Sequence, residues 1–144
     1  MGTRERADEV SLLLVMLRDW AERRPGVVAV GLAGSWARGE ARMDSDVDIA
    51  LVTEDLEPYL AGHEWIRELG GVRIVQTRRW GPMTERRFVT PSGLEVEMGV
   101  GLPSWLDPAD EGVRRTVEDG VSVVYDPGGV LARLLDACRR PESS

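Results

Sequence analysis

Residues 27 to 52 read VVAVGLAGSWARGEARMDSDVDIALV, and this stretch decides how the chain folds. Val27–Ala33 is apolar throughout, which is typical of a central strand covered on both faces. Gly34 and Ser35 break that strand, and an apolar pattern resumes at Val47. The stretch therefore predicts two buried strands joined by a short helix and loop over residues 36 to 42.

The second strand, predicted over residues 46 to 52, alternates between two faces. Its apolar face carries Val47, Ile49 and Leu51, and its other face carries Asp46, Asp48 and Ala50. Residues two apart on a strand lie on one face with their Cα atoms about 6.5 Å apart, and two carboxylates that close repel each other unless a cation neutralises them. Mg²⁺ prefers such hard oxygen ligands, together with substrate phosphates. The pair alone equally fits the solvated face of an edge strand.

The Gly34-Ser35 pair adds a second signal. A strand that ends in glycine before a helix offers free backbone N–H groups, a positive dipole end and a hydroxyl, which together suit a phosphate. The simpler interpretation is that Ser35 caps the helix. The two features on successive strands favour phosphate chemistry with metal ions.

Bulk composition limits the other function classes. The 144 residues fit a single domain, 1–144, with a disordered tail over about 141–144. A net charge of −7 makes nucleic acid a poor partner, and all 18 basic residues are arginine. The lone Cys138 excludes an internal disulfide and favours a reducing cytoplasm. No apolar run approaches the roughly 18 residues of a membrane span.

The remaining pattern predicts an α+β or α/β domain with a mixed central sheet flanked by helices. An amphipathic helix is predicted over residues 5 to 22, where apolar residues recur at helical spacing until Pro25-Gly26. Further predicted elements are a weak helix over 54–69, a strand over 72–77, a hairpin of 86–90 with 94–100, a helix over 108–119, a strand over 121–125 and a helix over 130–140. In the second hairpin arm, Glu95 and Glu97 share the polar face.

Gly34-Ser35, ten residues and then Asp46-x-Asp48 resemble the signature of the nucleotidyltransferase superfamily that shares the DNA polymerase β palm fold. The sequence around this signature is most similar to small bacterial members of the superfamily, the minimal nucleotidyltransferases and antibiotic-adenylylating enzymes. The resemblance is specific over residues 27 to 53, looser over 86 to 101 and faint elsewhere.

The resemblance implies a third carboxylate on a later strand. Glu97 is the best match because it stands in mid-strand between Val96 and Met98, and Glu95 is the fallback. Family members often have aspartate here, so the longer glutamate departs from the pattern. By the same resemblance, the metal ligands for two Mg²⁺ ions are Asp46, Asp48 and Glu97.

The resemblance also implies a nucleotide site. Gly34 and Ser35 would bind the β- and γ-phosphates of ATP or another NTP. Arg38 and Arg42 either add positive charge to the leaving pyrophosphate or are solvated surface residues.

The implied function is Mg²⁺-dependent transfer of an NMP, in the first place AMP, to a hydroxyl of a small molecule or a protein, with release of pyrophosphate. The alternatives are a non-catalytic nucleotide-binding or antitoxin-type protein-interaction module, or a scaffold with exposed carboxylates. Expected partners are the NTP, the acceptor, and a homodimer mate or helical protein that completes the cleft. No membrane contact is expected.

Overall fold

A computed structural model of the chain describes residues 3 to 139 and places a mixed β-sheet at its centre. The described strands are β1 (Val27–Ala33), β2 (Val47–Thr53), β3 (Arg73–Trp80), β4 (Met83–Val89), β5 (Glu95–Gly101) and β6 (Val121–Tyr125). The described α-helices are α1 (Thr3–Glu22), α2 (Gly34–Arg38), α3 (Glu57–Leu60), α4 (Glu64–Glu68), α5 (Glu111–Asp119) and α6 (Val130–Arg139), with a 3₁₀ turn at Pro103–Trp105.

The strand order is β3-β4-β5-β2-β1-β6. The two central strands, β2 and β5, pair in parallel, and the other neighbouring pairs are antiparallel. Residues in register on paired strands share a face of the sheet. The parallel register places Asp48 beside Glu97, which are 49 positions apart in the sequence.

The larger core lies on one face of the sheet under α1, α3 and α4. Val47, Ile49 and Leu51 of β2 and Val96, Met98 and Val100 of β5 point into it and are at most 3% exposed. From α1, the predicted apolar stripe contributes Val10, Leu13, Leu17 and Trp20. Burial of this many apolar side chains is the main stabilising contribution to the fold.

A smaller core covers part of the opposite face. There α5 and α6 pack Val113, Leu131 and Leu134 against Ala29 and Val52. Asp48 and Glu97 lie on this same face, beside a cavity whose border includes Thr116 and Asp119 of α5. The incomplete helical layer therefore leaves a recess over the polar residues.

The predicted fold class is confirmed, with shifts at element ends. The helix after β1 begins at Gly34 rather than Trp36, and β4 begins at Met83 rather than Arg86. Strand β3 runs on to Trp80, so a tight hairpin through Gly81 (φ +56°) joins β3 to β4. Residues 54–69 split into α3 and α4.

Arg140 and the tail 141–144 lie outside the described residues. Within residues 3 to 139, no helix combines the length and apolarity needed to cross a bilayer.

Candidate active site

Two carboxyl groups form the centre of the candidate site. Asp48 of β2 and Glu97 of β5 stand in register on the central strands, and each affects the pKa of the other. Two carboxyl groups this close repel each other when both are ionised, unless a proton or a cation relieves the repulsion. The structure thus brings together two of the three predicted acidic residues. Glu95, the fallback, lies two residues nearer the hairpin turn on the same strand.

Strand β4 adds two charged side chains that the sequence patterns did not single out. In the antiparallel register, Arg87 stands opposite Glu97, and Glu85 stands opposite Gly99. Glu85 is only 8% exposed and hydrogen-bonds to Glu97. The predicted hairpin turn at residues 91–93 already placed residue 87 opposite residue 97, so hairpin register was the signal that could have found Arg87.

Arg87 links the carboxylates across three segments of the chain. Its Nη1 donates to Oδ2 of Asp46 at 2.8 Å, and its Nη2 donates to Oε2 of Glu97 at 2.7 Å. Nη1 also lies 3.8 Å from Oε2 of Glu95. Asp46 precedes β2, so the prediction that the strand begins at Asp46 was wrong by one residue. The three predicted acids therefore meet at one place, with a guanidinium between two of them.

The neighbouring negative charges help to raise the pKa of Glu97. Burial raises the pKa of Glu97 to about 7, and the hydrogen bond that protonated Glu97 donates to Glu85 and the charge of Asp48 act in the same direction. The positive charge of Arg87 opposes this shift. A carboxyl group that titrates near neutrality can exchange a proton at physiological pH.

The pKa of Asp48 is raised as well. Burial is the main cause, and the charges of Asp46 and Glu85 add to it. The hydrogen bond with Glu97 and the charge of Arg87 lower the pKa of Asp48 but do not cancel the shift. One arginine therefore leaves this group of acids with uncompensated negative charge.

Position 34 requires a glycine, because its backbone lies close to the side chain of Asp48. Its φ is +75°, and a Cβ atom at this position would lie 2.5 Å from Oδ2 of Asp48. Any L side chain would therefore be strained in its backbone and would displace the carboxylate. The glycine lets the start of α2 contact the metal-ligand candidate directly.

Ser35 is not the N-cap of α2. Ala33 takes that position in an extended conformation, and no side chain caps the first turn. The first backbone N–H groups of a helix have no partner within it. Ser35 thus lies in the first turn, next to donors that no cap satisfies.

The two predicted arginines lie in different surroundings. Nη1 of Arg38 donates to the carbonyl oxygen of Asp119 at 3.1 Å, and its Nε donates to Glu40 at 3.2 Å. The side chain also packs against Gly120. Arg42 is exposed at the turn before Asp46, where its backbone N–H donates to Ser45 at 2.8 Å. The structure places neither guanidinium in the carboxylate cluster.

A cavity of about 270 Å³ opens beside the cluster. Its lining includes the carboxyl-bearing residues Asp48, Glu97 and Asp119 and the apolar residues Met83 and Trp105. None of its described lining residues is basic. The cavity can hold a molecule with an apolar face and neutral or positively charged polar groups.

The donor chemistry of the cluster fits a hard divalent cation, because Asp46, Asp48 and Glu97 offer carboxylate oxygens and have an excess of negative charge. Across residues 3 to 139, however, no three acidic, histidine or cysteine side chains are arranged as a metal-binding group. The reason is visible at Arg87, which bonds two of the three acids.

Replacing Gly34 tests the contact with Asp48. Gly39 is a matched control, since its φ of +73° is almost the same but a Cβ there would meet nothing within 4 Å. We expect Gly34→Ala and Gly39→Ala each to lower the free energy of unfolding by about 1–3 kcal/mol through backbone strain. Gly34→Ala should lose more, and it alone should reduce nucleotide binding at least about tenfold. Urea unfolding and calorimetry with ATP measure both; equal behaviour of the two variants would contradict the argument.

The raised pKa of Glu97 predicts how stability changes with pH. Between its ordinary value of 4.5 and about 7, Glu97 holds a proton in the folded chain that it loses on unfolding. Its contribution to stability is therefore complete below about pH 4.5 and is lost as pH rises through about 7. In EDTA, the free energy of unfolding of Glu97→Gln should fall less over this range than that of wild type. Urea unfolding at several pH values measures the slopes, with Glu95→Gln as control; the same slope in wild type and Glu97→Gln would refute the assignment.

Known proteins show the same fold and family. The model of the streptomycin adenylyltransferase family matches residues 8–90, which is more than half of the chain and includes Gly34 to Arg87 but not Glu97. The protein adenylyltransferase MntA of Thermococcus cleftensis is 33% identical over 70 residues, which cover 46% of this chain and 71% of that protein.

Among solved structures, a cytoplasmic RNA terminal U-transferase superposes with a TM-score of 0.53 at 18% identity, covering 81% of this chain and 33% of the other. An aminoglycoside 6-adenyltransferase from Bacillus subtilis reaches a TM-score of 0.47 at 14% identity over 60% of this chain and 32% of the other. The chain thus spans about a third of the length of these two structures. With the family match and the relative above, the conclusion is that the chain belongs to the streptomycin adenylyltransferase family of nucleotidyltransferase enzymes.

Proposed function

We propose that this chain transfers AMP from ATP to a hydroxyl group of an acceptor and releases pyrophosphate. The observation that carries the proposal is the in-register pair of Asp48 and Glu97, with Asp46 beside it and the glycine-led first turn of α2 against Asp48. The family match supports nucleotide transfer in general. ATP as the donor, Mg²⁺ and the acceptor belong to the proposal.

In the proposed reaction, the acceptor oxygen forms a bond to the α-phosphorus of ATP while the bond from that phosphorus to the bridging oxygen breaks. The electron pair leaves with pyrophosphate. Glu97 either takes the hydroxyl proton, a role for which a pKa of about 7 in the metal-free chain is suited, or helps to hold the second Mg²⁺ while the proton passes to water. Balanced in this way, the reaction needs no oxidant or further reactant.

Asp46, Asp48 and Glu97 would hold up to two Mg²⁺ ions, which supply neutralisation of phosphate charge and polarisation of the reacting oxygens. Gly34 and Ser35 would direct the uncapped N–H groups of α2 at the β- and γ-phosphates. Arg42 is the better candidate for the leaving pyrophosphate, since Arg38 is already bonded to the carbonyl of Asp119. We further propose that residues 1–144 act as one catalytic domain.

For the acceptor we propose a protein hydroxyl. The relative with 33% identity is named a protein adenylyltransferase, and the matched region covers 71% of it. The family name points instead to streptomycin, a small molecule with hydroxyl groups, which is the competing acceptor. A homodimer mate or a helical partner that completes the cleft, and a cytoplasmic location, stay predictions.

Transfer is tested with ATP labelled at the α-phosphate, Mg²⁺, and either candidate partner proteins or streptomycin. We expect label in the protein fraction and equimolar pyrophosphate, and a loss of at least about 100-fold in Asp48→Asn, equivalent to about 2.7 kcal/mol of barrier. Asp44→Asn, exposed in the preceding turn, is the matched control and should behave as wild type.

Two results would contradict the proposal. One is undiminished transfer by Asp48→Asn. The other is tight ATP binding by the wild-type chain without pyrophosphate release in the presence of any acceptor, which would favour a non-catalytic nucleotide-binding module. Label on streptomycin alone would retain the enzyme and overturn the protein acceptor.

A further inference from the structure

We propose that Arg87 is the resident counter-ion of the carboxylate cluster: it occupies Asp46 and Glu97 in the metal-free chain and releases them when a divalent cation binds. This inference rests on the proposed function, because the cation is the one that would serve nucleotide transfer. It gives Arg87 a positioning role that neither the sequence motif nor the family signature contains.

The geometry is that of two strong ion pairs sharing one guanidinium. Arg87 bonds Asp46 at 2.8 Å and Glu97 at 2.7 Å through different nitrogens. All three side chains are partly shielded, with 23% to 34% of their surface exposed. Charge-assisted hydrogen bonds of this length are among the strongest that side chains make. Arg87 therefore holds the strand β4, the strand β5 and the segment before β2 together.

Charge balance explains why the arginine is there. Asp46, Asp48 and Glu97 lie within one interacting group, and Arg87 is the cation that lowers the pKa values of Asp48 and Glu97. Carboxylates this close repel each other, and part of the repulsion is relieved by Arg87. In the metal-free chain, removal of Arg87 would therefore increase the repulsion among these three acids.

The same contacts compete with a metal ion. Mg²⁺ needs ligand oxygens at about 2.0–2.1 Å in near-octahedral geometry. Asp46 and Glu97 each direct one carboxylate oxygen at Arg87, and across the described residues no three-ligand group is formed. A metal ion that takes these two oxygens as ligands must therefore displace the guanidinium from them. Because the guanidinium and the metal ion compete for the same carboxylate oxygens, weakening the ion pairs strengthens metal binding, by at most the factor by which the ion pairs are weakened.

A purely structural ion pair is the alternative, and one atom argues against it. The Nε–H of Arg87 is buried and has no hydrogen-bond partner among the described residues. A structural arginine in a buried network normally has all its donors bonded, because an unbonded donor is costly. Arg87 is hydrogen-bonded only to Asp46 and Glu97 among the described residues, with Glu95 farther away at 3.8 Å, which suits a contact that has to open.

The experiment measures Mn²⁺ binding to the full chain without nucleotide, by the loss of the free-ion paramagnetic resonance signal. Thermal unfolding of the same samples is followed in EDTA and at saturating Mn²⁺. The variants are Arg87→Gln and Arg87→Lys, with Arg79→Gln as matched control. Arg79 is an exposed arginine on the neighbouring strand β3, opposite Thr84 and on the other face from Arg87.

We expect Arg87→Gln to bind Mn²⁺ about tenfold more tightly than wild type. It should unfold at a lower temperature than wild type in EDTA, and this difference should vanish or reverse at saturating Mn²⁺. Arg79→Gln should match wild type in both. Should Arg87→Gln fail to fold, Arg87→Lys takes its place in the experiment. The lysine ammonium cannot bridge the two acids bidentately, so the Arg87→Lys chain should also bind Mn²⁺ more tightly than wild type.

Equal or weaker Mn²⁺ binding by the Arg87 variants would overturn the inference, as would the same loss of thermal stability with and without Mn²⁺. These failures differ from failure of the proposed function. AMP transfer by wild type together with unchanged Mn²⁺ affinity in Arg87→Gln overturns the role of Arg87 alone. Tighter Mn²⁺ binding without any AMP transfer by wild type overturns the proposed reaction alone. Absence of Mn²⁺ binding in every variant overturns the role of Arg87, and the proposed reaction is then decided by the transfer assay with ATP and Mg²⁺.

Discussion

The parallel pairing of β2 with β5 is the constraint on which the candidate site depends. It holds the backbones of Asp48 and Glu97 side by side on the two central strands. Two partly buried carboxyl groups this close are unfavourable unless a proton or a cation relieves their repulsion. The raised pKa values of Asp48 and Glu97 favour a proton on one of them, and the guanidinium of Arg87 supplies positive charge beside Glu97. A bound metal ion would be a further source of positive charge.

The rest of the fold keeps this arrangement accessible. One face of the sheet is sealed by α1, α3 and α4, so the central strands are fixed by a full apolar core. The other face is only half covered, because α5 and α6 pack over Ala29 and Val52 and stop short of the acids. The cavity at that border has Met83 and Trp105 as its apolar side. Rigid strands and an open recess are what a substrate-positioning site needs.

Local patterns in the sequence were sufficient for the strands, the main helix and the acids themselves. Period-two alternation assigned Asp48 and Glu97 to polar faces, and the structure agrees. Patterns could not show that Gly34 is needed for its contact with Asp48, since that closeness arises from the folding of α2 back over β2. Arg38 likewise could not be placed, because its partner carbonyl at Asp119 is 81 positions away.

Glu85 and Arg87 were missed for a different reason. They belong to no signature, and their importance follows only from cross-strand register, which puts Arg87 opposite Glu97. Counting outward from the predicted turn at residues 91–93 places residue 87 opposite residue 97. A charged residue on a hairpin is usually exposed to solvent, however, so the pairing alone did not mark Arg87 as part of a site. The sequence signature identified the acidic residues, and the β4–β5 hairpin supplies Arg87, which partly neutralises them.

The central claim is that these acids form a cation and nucleotide site. Anomalous diffraction from crystals of the chain grown with Mn²⁺ and a non-hydrolysable ATP analogue tests it most directly. The account predicts an anomalous peak within about 2.0–2.3 Å of carboxylate oxygens of Asp46 and Asp48, with the analogue's phosphates beside the first turn of α2. Nucleotide bound elsewhere, or no peak at these carboxylates, would contradict it.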